Sequence, residues 1–180
     1  GHLELQAGNL YASTLTDARI EGTATSTLQT LNPEKGSSSA SPLSALGRLT
    51  LDAGTVSHAG TIDQPFGDIR ITGTQVALQD GSRLSVSGEG LVVPVGFMLN
   101  GQRWLYGTSE AGVASSADAK AVLDLVDLHK DVTVESPNLT VASSSRIQAQ
   151  AGGDLLAGEF VEGVGGTKDT FNRAGVYAIV

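Results

Sequence analysis

The stretch Ile69-Arg70-Ile71-Thr72-Gly73-Thr74-Gln75-Val76-Ala77-Leu78-Gln79-Asp80-Gly81-Ser82-Arg83-Leu84-Ser85-Val86 decides the fold. Apolar residues stand two apart at Ile69/Ile71, Val76/Leu78 and Leu84/Val86, the spacing of strands with one buried face. Small turn residues, Gly73-Thr74 and Asp80-Gly81-Ser82, separate them. A second copy reads Val132/Val134, Leu139/Val141 and Ile147/Ala149, broken at Ser136-Pro137-Asn138 and at Ser143-Ser144-Ser145. Leu3/Leu5, Leu10 and Ile20 form a third, weaker copy, and Leu49/Leu51 stands one unit before Ile69/Ile71.

Three short strands per unit of about 20 residues match one coil of a parallel β-helix, in which no coil buries its inner face until the next one stacks on it. An antiparallel meander shows the same alternation, but it has no reason to hold a register of that length. The expected fold is therefore all-β, a parallel β-helix with protruding loop and hairpin excursions. Residues 1–180 are expected to form a single β-helical domain, a fragment of a larger protein. Gly1-His2 reads as a remnant of tag removal.

Three stretches interrupt the repeat. Residues 23–47 are rich in Ser and Thr, include Asn32-Pro33-Glu34-Lys35-Gly36, and predict a protruding loop. Residues 94–131 predict a second excursion, with a hairpin from Val95 to Tyr106 around Asn100-Gly101. Within it, Ala119, Val122, Leu123 and Val126 have helical spacing, and Asp118 is the candidate cap. The third excursion, residues 152–176, centres on Gly163, Gly165 and Gly166. Six of the eight aromatic residues lie from Phe97 onward, so the rings belong mostly to the excursions.

Composition excludes several functions. Eleven basic against nineteen acidic residues give a net charge of −8, and no aromatic residues interleave with Lys or Arg, so a nucleic-acid partner is not expected. The absence of Cys removes disulfides, Cys-ligated zinc and thiol catalysis together. The apolar stretch Leu91–Leu99 is far shorter than the roughly 20 residues of a membrane span, so the chain is read as not membrane-spanning.

Candidate chemistry is sparse. Asp127, His129 and Asp131 alternate onto one face of an extended strand and have the residue types of a divalent-metal site, but a local triplet without distant ligands reads as an exposed polar face. Asp52, Asp63, Asp68 and Asp80 are spread through the best-patterned region, where general acid–base work needs them in one cleft. Gly163-Val164-Gly165-Gly166-Thr167-Lys168 fails as a phosphate loop, because Lys168 does not follow the last Gly. His58, in Ser57-His58-Ala59-Gly60, reads as an exposed turn residue. Asn138-Leu139-Thr140 fits a glycosylation sequon. Trp104 and Tyr106 are the candidate contact surface, since rings on an excursion stack on sugars or anchor partners; their other reading is as a cover for the outer wall of the coils. No catalytic residue, cofactor or metal is expected.

The run Gly60-Thr61-Ile62, Pro65-Phe66-Gly67-Asp68-Ile69, Gly81-Ser82, Ser85-Val86-Ser87-Gly88-Glu89-Gly90, Val93-Pro94-Val95-Gly96 and Gly101 with Trp104 and Tyr106 resembles large exoproteins of the filamentous haemagglutinin type. Gly152-Gly153-Asp154-Leu155, Glu159-Phe160-Val161 and Gly165-Gly166-Thr167-Lys168-Asp169 are similar to that family's C-terminal β-helical region, so the resemblance covers roughly residues 45–180. It implies a right-handed β-helical fibre, exported by two-partner secretion through an outer-membrane transporter to the surface of a Gram-negative bacterium. Partners implied are that transporter for the full-length protein and a host-cell or bacterial-surface receptor or glycan. The expected function is a structural and adhesive segment, non-enzymatic, that mediates attachment or display by a rigid shaft. The alternative is a polysaccharide-active enzyme on the same fold, a lyase or hydrolase.

Overall fold

The computed structural model describes residues 1–32, 42–99, 102–106, 120–121 and 130–159. These form strands β1 (His2–Gln6), β2 (Asp17–Glu21), β3 (Thr27–Leu31), β4 (Arg48–Asp52), β5 (Thr55–His58), β6 (Thr61–Asp63), β7 (Asp68–Thr72) and β8 (Gln75–Leu78). They continue with β9 (Arg83–Ser85), β10 (Val92–Leu99), β11 (Arg103–Tyr106), β12 (Lys120–Ala121), β13 (Val132–Glu135), β14 (Asn138–Val141), β15 (Arg146–Gln148) and β16 (Asp154–Glu159). Among the described residues there is no helix, and the protein is all-β with parallel sheets.

The chain divides into two compact units, one of residues 1–93 with 128–154 and one of residues 94–127 with 155–180. In the first unit three sheets have the orders β1-β3-β5-β8-β14, β13-β7-β4-β2 and β15-β9-β6, here the first, second and third sheets. Each of their pairings is parallel. The chain visits them in rotation: β5, β6 and β7 lie in the first, third and second sheets, and β8, β9 and β13 repeat that order.

Register follows the apolar alternation. Leu49 pairs with Ile69 and Ile69 with Val132, while Leu51 pairs with Ile71 and Ile71 with Val134. Val56 pairs with Val76 and Val76 with Leu139, and Ile62 pairs with Leu84 and Leu84 with Ile147. A slip by one residue would turn every apolar member of a column to the opposite face, so burial pins the register. Leu28, Val56 and Val76 of the first sheet, Leu49, Leu51, Ile69 and Ile71 of the second, and Ile62 and Leu84 of the third belong to one buried cluster.

In the second unit the sheet order is β12-β11-β10-β16. The expected hairpin forms: β10 and β11 pair antiparallel, with Leu99 opposite Arg103. Asn100 and Gly101, its expected turn, lie outside the described residues.

Two expectations are corrected. Residues 23–47 are not a loop throughout, because Thr27–Leu31 is strand β3, parallel to both β1 and β5. Its buried face carries Leu28 and Thr30, and Thr30 fits because its hydroxyl meets the His58 ring; a Thr in an apolar column hid the strand. The helix expected near Ala119–Val126 is replaced at Lys120–Ala121 by β12, antiparallel to β11. Ala119, Val122, Leu123 and Val126 themselves lie outside the described residues.

Candidate functional site

Among the described residues the third sheet skips one round, beside a cluster of polar side chains. Between β3 and β4 the described residues supply no strand to it, and Leu10 bridges in parallel directly to Ile62. Side chains extend this backbone pairing on either side of Leu10. The Gln64 amide, fully buried, accepts from the Ala12 N–H at 2.7 Å and donates to the Ala12 carbonyl at 3.1 Å, so it satisfies both backbone groups as a strand neighbour would. Asn9 Nδ2 donates to Asp63 Oδ2 at 3.0 Å, and Asn9 Oδ1 accepts from the Asp63 N–H at 3.1 Å.

Asp63 alternates with the inward Ile62 and so stands on the opposite face of β6, where it is nonetheless 5% exposed. Arg83 Nη1 lies 2.9 Å from Asp63 Oδ1 and donates to Oδ2 at 3.1 Å. Arg83 Nε donates to Gln148 Oε1 at 2.7 Å, which fixes the guanidinium from the next strand of the sheet. Oδ1 accepts no hydrogen bond from a described residue, although the ion pair touches it. Burial raises the Asp63 pKa above the ordinary carboxylate value, opposed by the charge of Arg83 and the hydrogen bond from Asn9.

A cavity of about 100 Å³ opens over this pair, lined by Asp63 and Arg83 with Ser87, Glu89, Gln148 and Gln150. Pro42, Pro65 and Leu91 add apolar surface to the same lining. A shallower groove of about 520 Å³ follows the turns between the second and first sheets, along Gly22–Ala24, Asp52–Gly54, Thr72–Thr74 and Glu135–Pro137. Its walls are mostly small turn residues, and it offers few side chains for recognition.

The structure does not gather the scattered acids. Asp52 pairs in register with Thr72, Asp68 takes the guanidinium of Arg48 at 3.0 Å, and Asp80 accepts from Ser144 Oγ at 2.9 Å. Asp63 alone lines the cavity. Asp127 and His129 lie outside the described residues, whereas the Asp131 N–H donates to Asp68 Oδ1. Trp104 is half-buried and its indole N–H donates to the Val95 carbonyl, while Tyr106 is exposed. Asn138 Nδ2 donates to the Thr74 carbonyl, so the sequon amide is engaged with the neighbouring turn. Residues 163–168 lie outside the described residues.

His58 is corrected from exposed to fully buried. Its Nε2 faces the Arg83 carbonyl at 3.4 Å and its Nδ1 meets the Thr30 hydroxyl. A carbonyl only accepts, so the network assigns the proton to Nε2 and leaves Nδ1 to accept from Thr30. Sequence reading missed Asn9, Gln64, Arg83 and Gln148. The available signal was Asp63-Gln64 directly after an inward Ile62, two polar residues where a plain exposed turn needs neither.

Compared with known proteins, the chain matches no family model, no curated sequence and no solved structure.

Proposed function

We propose that the first unit winds as a right-handed parallel β-helix and serves as a rigid, adhesive segment of a secreted bacterial surface exoprotein of the filamentous haemagglutinin type. The observation that carries this reading is the rotation of the chain through three parallel sheets that share one apolar cluster. Parallel crossovers in a sheet are right-handed in nearly all proteins, which supports the hand. Stacking hides strand edges between successive rounds and makes a stiff support from short strands and small side chains. The excursion at residues 94–131 is the recognition element, with Trp104 and Tyr106 as its aromatic contacts, and the partner is a receptor or glycan on a host or bacterial cell. The full-length protein reaches the surface through a two-partner secretion transporter. In this reading the chain performs no catalysis.

The test is attachment of beads coated with the chain to cultured host cells and to bacteria. Saturable binding that falls when residues 94–131 are deleted supports the reading. Attachment no better than that of uncoated beads on every cell type refutes it.

One observation favours the polysaccharide-active alternative: the carboxyl groups of Asp63 and Glu89 line the same cavity. Turnover on a panel of acidic polysaccharides, lost in Glu89→Gln, would establish that chemistry.

A further inference from the structure

The two ends of the stacked sheets in the first unit carry the same apolar columns. At one end stand β1, β2 and Leu10, which bridges to β6; at the other stand β14, β13 and β15. In the first sheet Leu3 leads in register through Leu28, Val56 and Val76 to Leu139. In the second, Ile20 leads through Leu51 and Ile71 to Val134. In the third, Leu10 leads through Ile62 and Leu84 to Ile147. The inner members of each column are buried. At the ends, by contrast, Leu3 is 44% exposed, Leu139 and Ile147 are exposed as well, and Leu10, Ile20 and Val134 are only partly covered. Among the described residues neither end has the polar cap that keeps stacked repeats soluble.

We propose that copies of this chain stack head to tail, with β14, β13 and β15 of one copy laid against β1, β2 and Leu10 of the next. The occupant is a second copy because the contact continues the pairing already made within the chain. Every pairing in these three sheets is parallel, so β1 of the next copy meets β14 with the direction and register in which β14 meets β8. Leu139 then packs on Leu3, Val134 on Ile20 and Ile147 on Leu10, each on its own column. Two copies meeting through the same end cannot keep both the parallel direction and the inward face of the columns. Joining unlike ends leaves one end free on each side, so the assembly stays open and grows with concentration. Glu21 faces Glu135 across the seam, but Arg19 lies 3.8 Å from the one and Arg70 2.7 Å from the other within their own chains. Stacking uses neither the excursion nor a receptor, so it stands apart from the attachment reading.

The experiment is sedimentation velocity of the whole chain over about 1 to 100 µM, with one variant blocking each end. Val141→Lys blocks β14 and Leu3→Lys blocks β1, both at exposed positions. The wild-type chain should form a series of oligomers that lengthens with concentration, and each variant alone should stay monomeric. Their equimolar mixture should form a dimer and nothing larger, because one free β14 end meets one free β1 end. A wild-type chain that stays monomeric overturns the proposal, as does either variant that associates by itself, or a mixture that yields only monomers or species beyond the dimer. A cysteine pair keeps the test open if a lysine variant misfolds. The chain has no Cys, and Thr140 and Glu4 are exposed members of one outward column. Across the seam they face each other at the strand spacing of about 4.8 Å, within disulfide reach. Mild oxidation of mixed Thr140→Cys and Glu4→Cys chains should give the heterodimer beyond its random proportion. Random proportions, or an excess of either homodimer, overturn the head-to-tail seam.

Discussion

At the residue scale, the least expected side chains are polar ones inside apolar columns. Thr30, His58 and Leu78 follow one another in register, so a hydroxyl and an imidazole occupy positions that an aliphatic residue fills one strand later. Burial, opposed by the hydrogen bond to the Arg83 carbonyl, lowers the His58 pKa from 6.5 to about 4. The unfolded chain therefore binds a proton near pH 6.5 that the folded chain refuses until about pH 4. The neutral ring's share of stability is complete above pH 6.5 and is lost as pH falls through that window, by about 3 kcal/mol in all. Asp63 runs the other way, since its raised pKa favours folding as pH falls, and it partly offsets the loss at the acid end. Urea denaturation from pH 7 to 4.5 should show falling stability, and His58→Gln, which cannot take the proton, should flatten the slope. An unchanged slope in that variant would remove His58 as its source. A second residue-scale prediction concerns the corner around Phe66, whose ring carries Lys130 Nζ 5.0 Å from its centroid. Gly153 has φ +82°, and a Cβ there would stand 1.9 Å from the Gly88 carbonyl oxygen. Gly153→Ala should cost about 3 kcal/mol, through the left-handed backbone and the displaced carbonyl together, readable as a lower midpoint in the same denaturation experiment.

At the element scale, the Gln64 amide pairs with both backbone groups of Ala12 as a neighbouring strand would. Removing it leaves the Ala12 N–H buried without a partner, while the Ala12 carbonyl still accepts from Ser44 Oγ, so Gln64→Ala should destabilise the first unit by about 1–3 kcal/mol. Gln64→Glu keeps the acceptor for the Ala12 N–H but sets a carboxylate against the Ala12 carbonyl; its loss at neutral pH should shrink on acidification. Equal stability of all three proteins in thermal melts would mean that water replaces the amide at no cost. The contrast between element and sequence runs through this site. Strands β7, β8 and β9 and their counterparts β13, β14 and β15 were legible because Ile69, Val76 and Leu84 recur as Val132, Leu139 and Ile147, which pair with them in parallel. Strand β3 was hidden because Thr30 needs a partner 28 positions away to be tolerated inside, and no local pattern records that partner. The cavity was illegible for the same reason: Asn9, Asp63, Arg83 and Gln148 meet only once the strands are stacked. Spacing along the chain gives the columns, whereas contacts across them depend on which round each residue falls in.

At the scale of the whole molecule, the first unit ends on strands whose outer partners are absent among the described residues. β14 and β15 terminate the first and third sheets, and β13 terminates the second. The columns that are buried beneath them emerge there: Leu139 is 45% exposed, Val141 52% and Ile147 53%, although their partners Val76, Leu78 and Leu84 are almost wholly buried. Position in the stack, not residue type, therefore sets the energetic weight of a side chain. Leu78→Ala should cost about 2–5 kcal/mol by leaving a cavity, whereas Val141→Ala, one strand along the same column, should cost well under 1 kcal/mol. Similar losses at the two sites would mean that Val141 is covered in solution. At that end the outer backbone groups of β14 pair with no strand among the described residues and stand beside exposed apolar side chains, which is the condition under which strand edges recruit other chains. The chain should accordingly self-associate through β14. Sedimentation velocity from about 1 to 100 µM should show the sedimentation coefficient rising with concentration. Val141→Lys puts a charge on the half-exposed last member of that column, and should hold the protein monomeric at little cost in thermal stability. A wild-type chain that stays monodisperse over the whole range sinks the prediction, because the exposed columns would then carry too little surface to overcome the entropy of association.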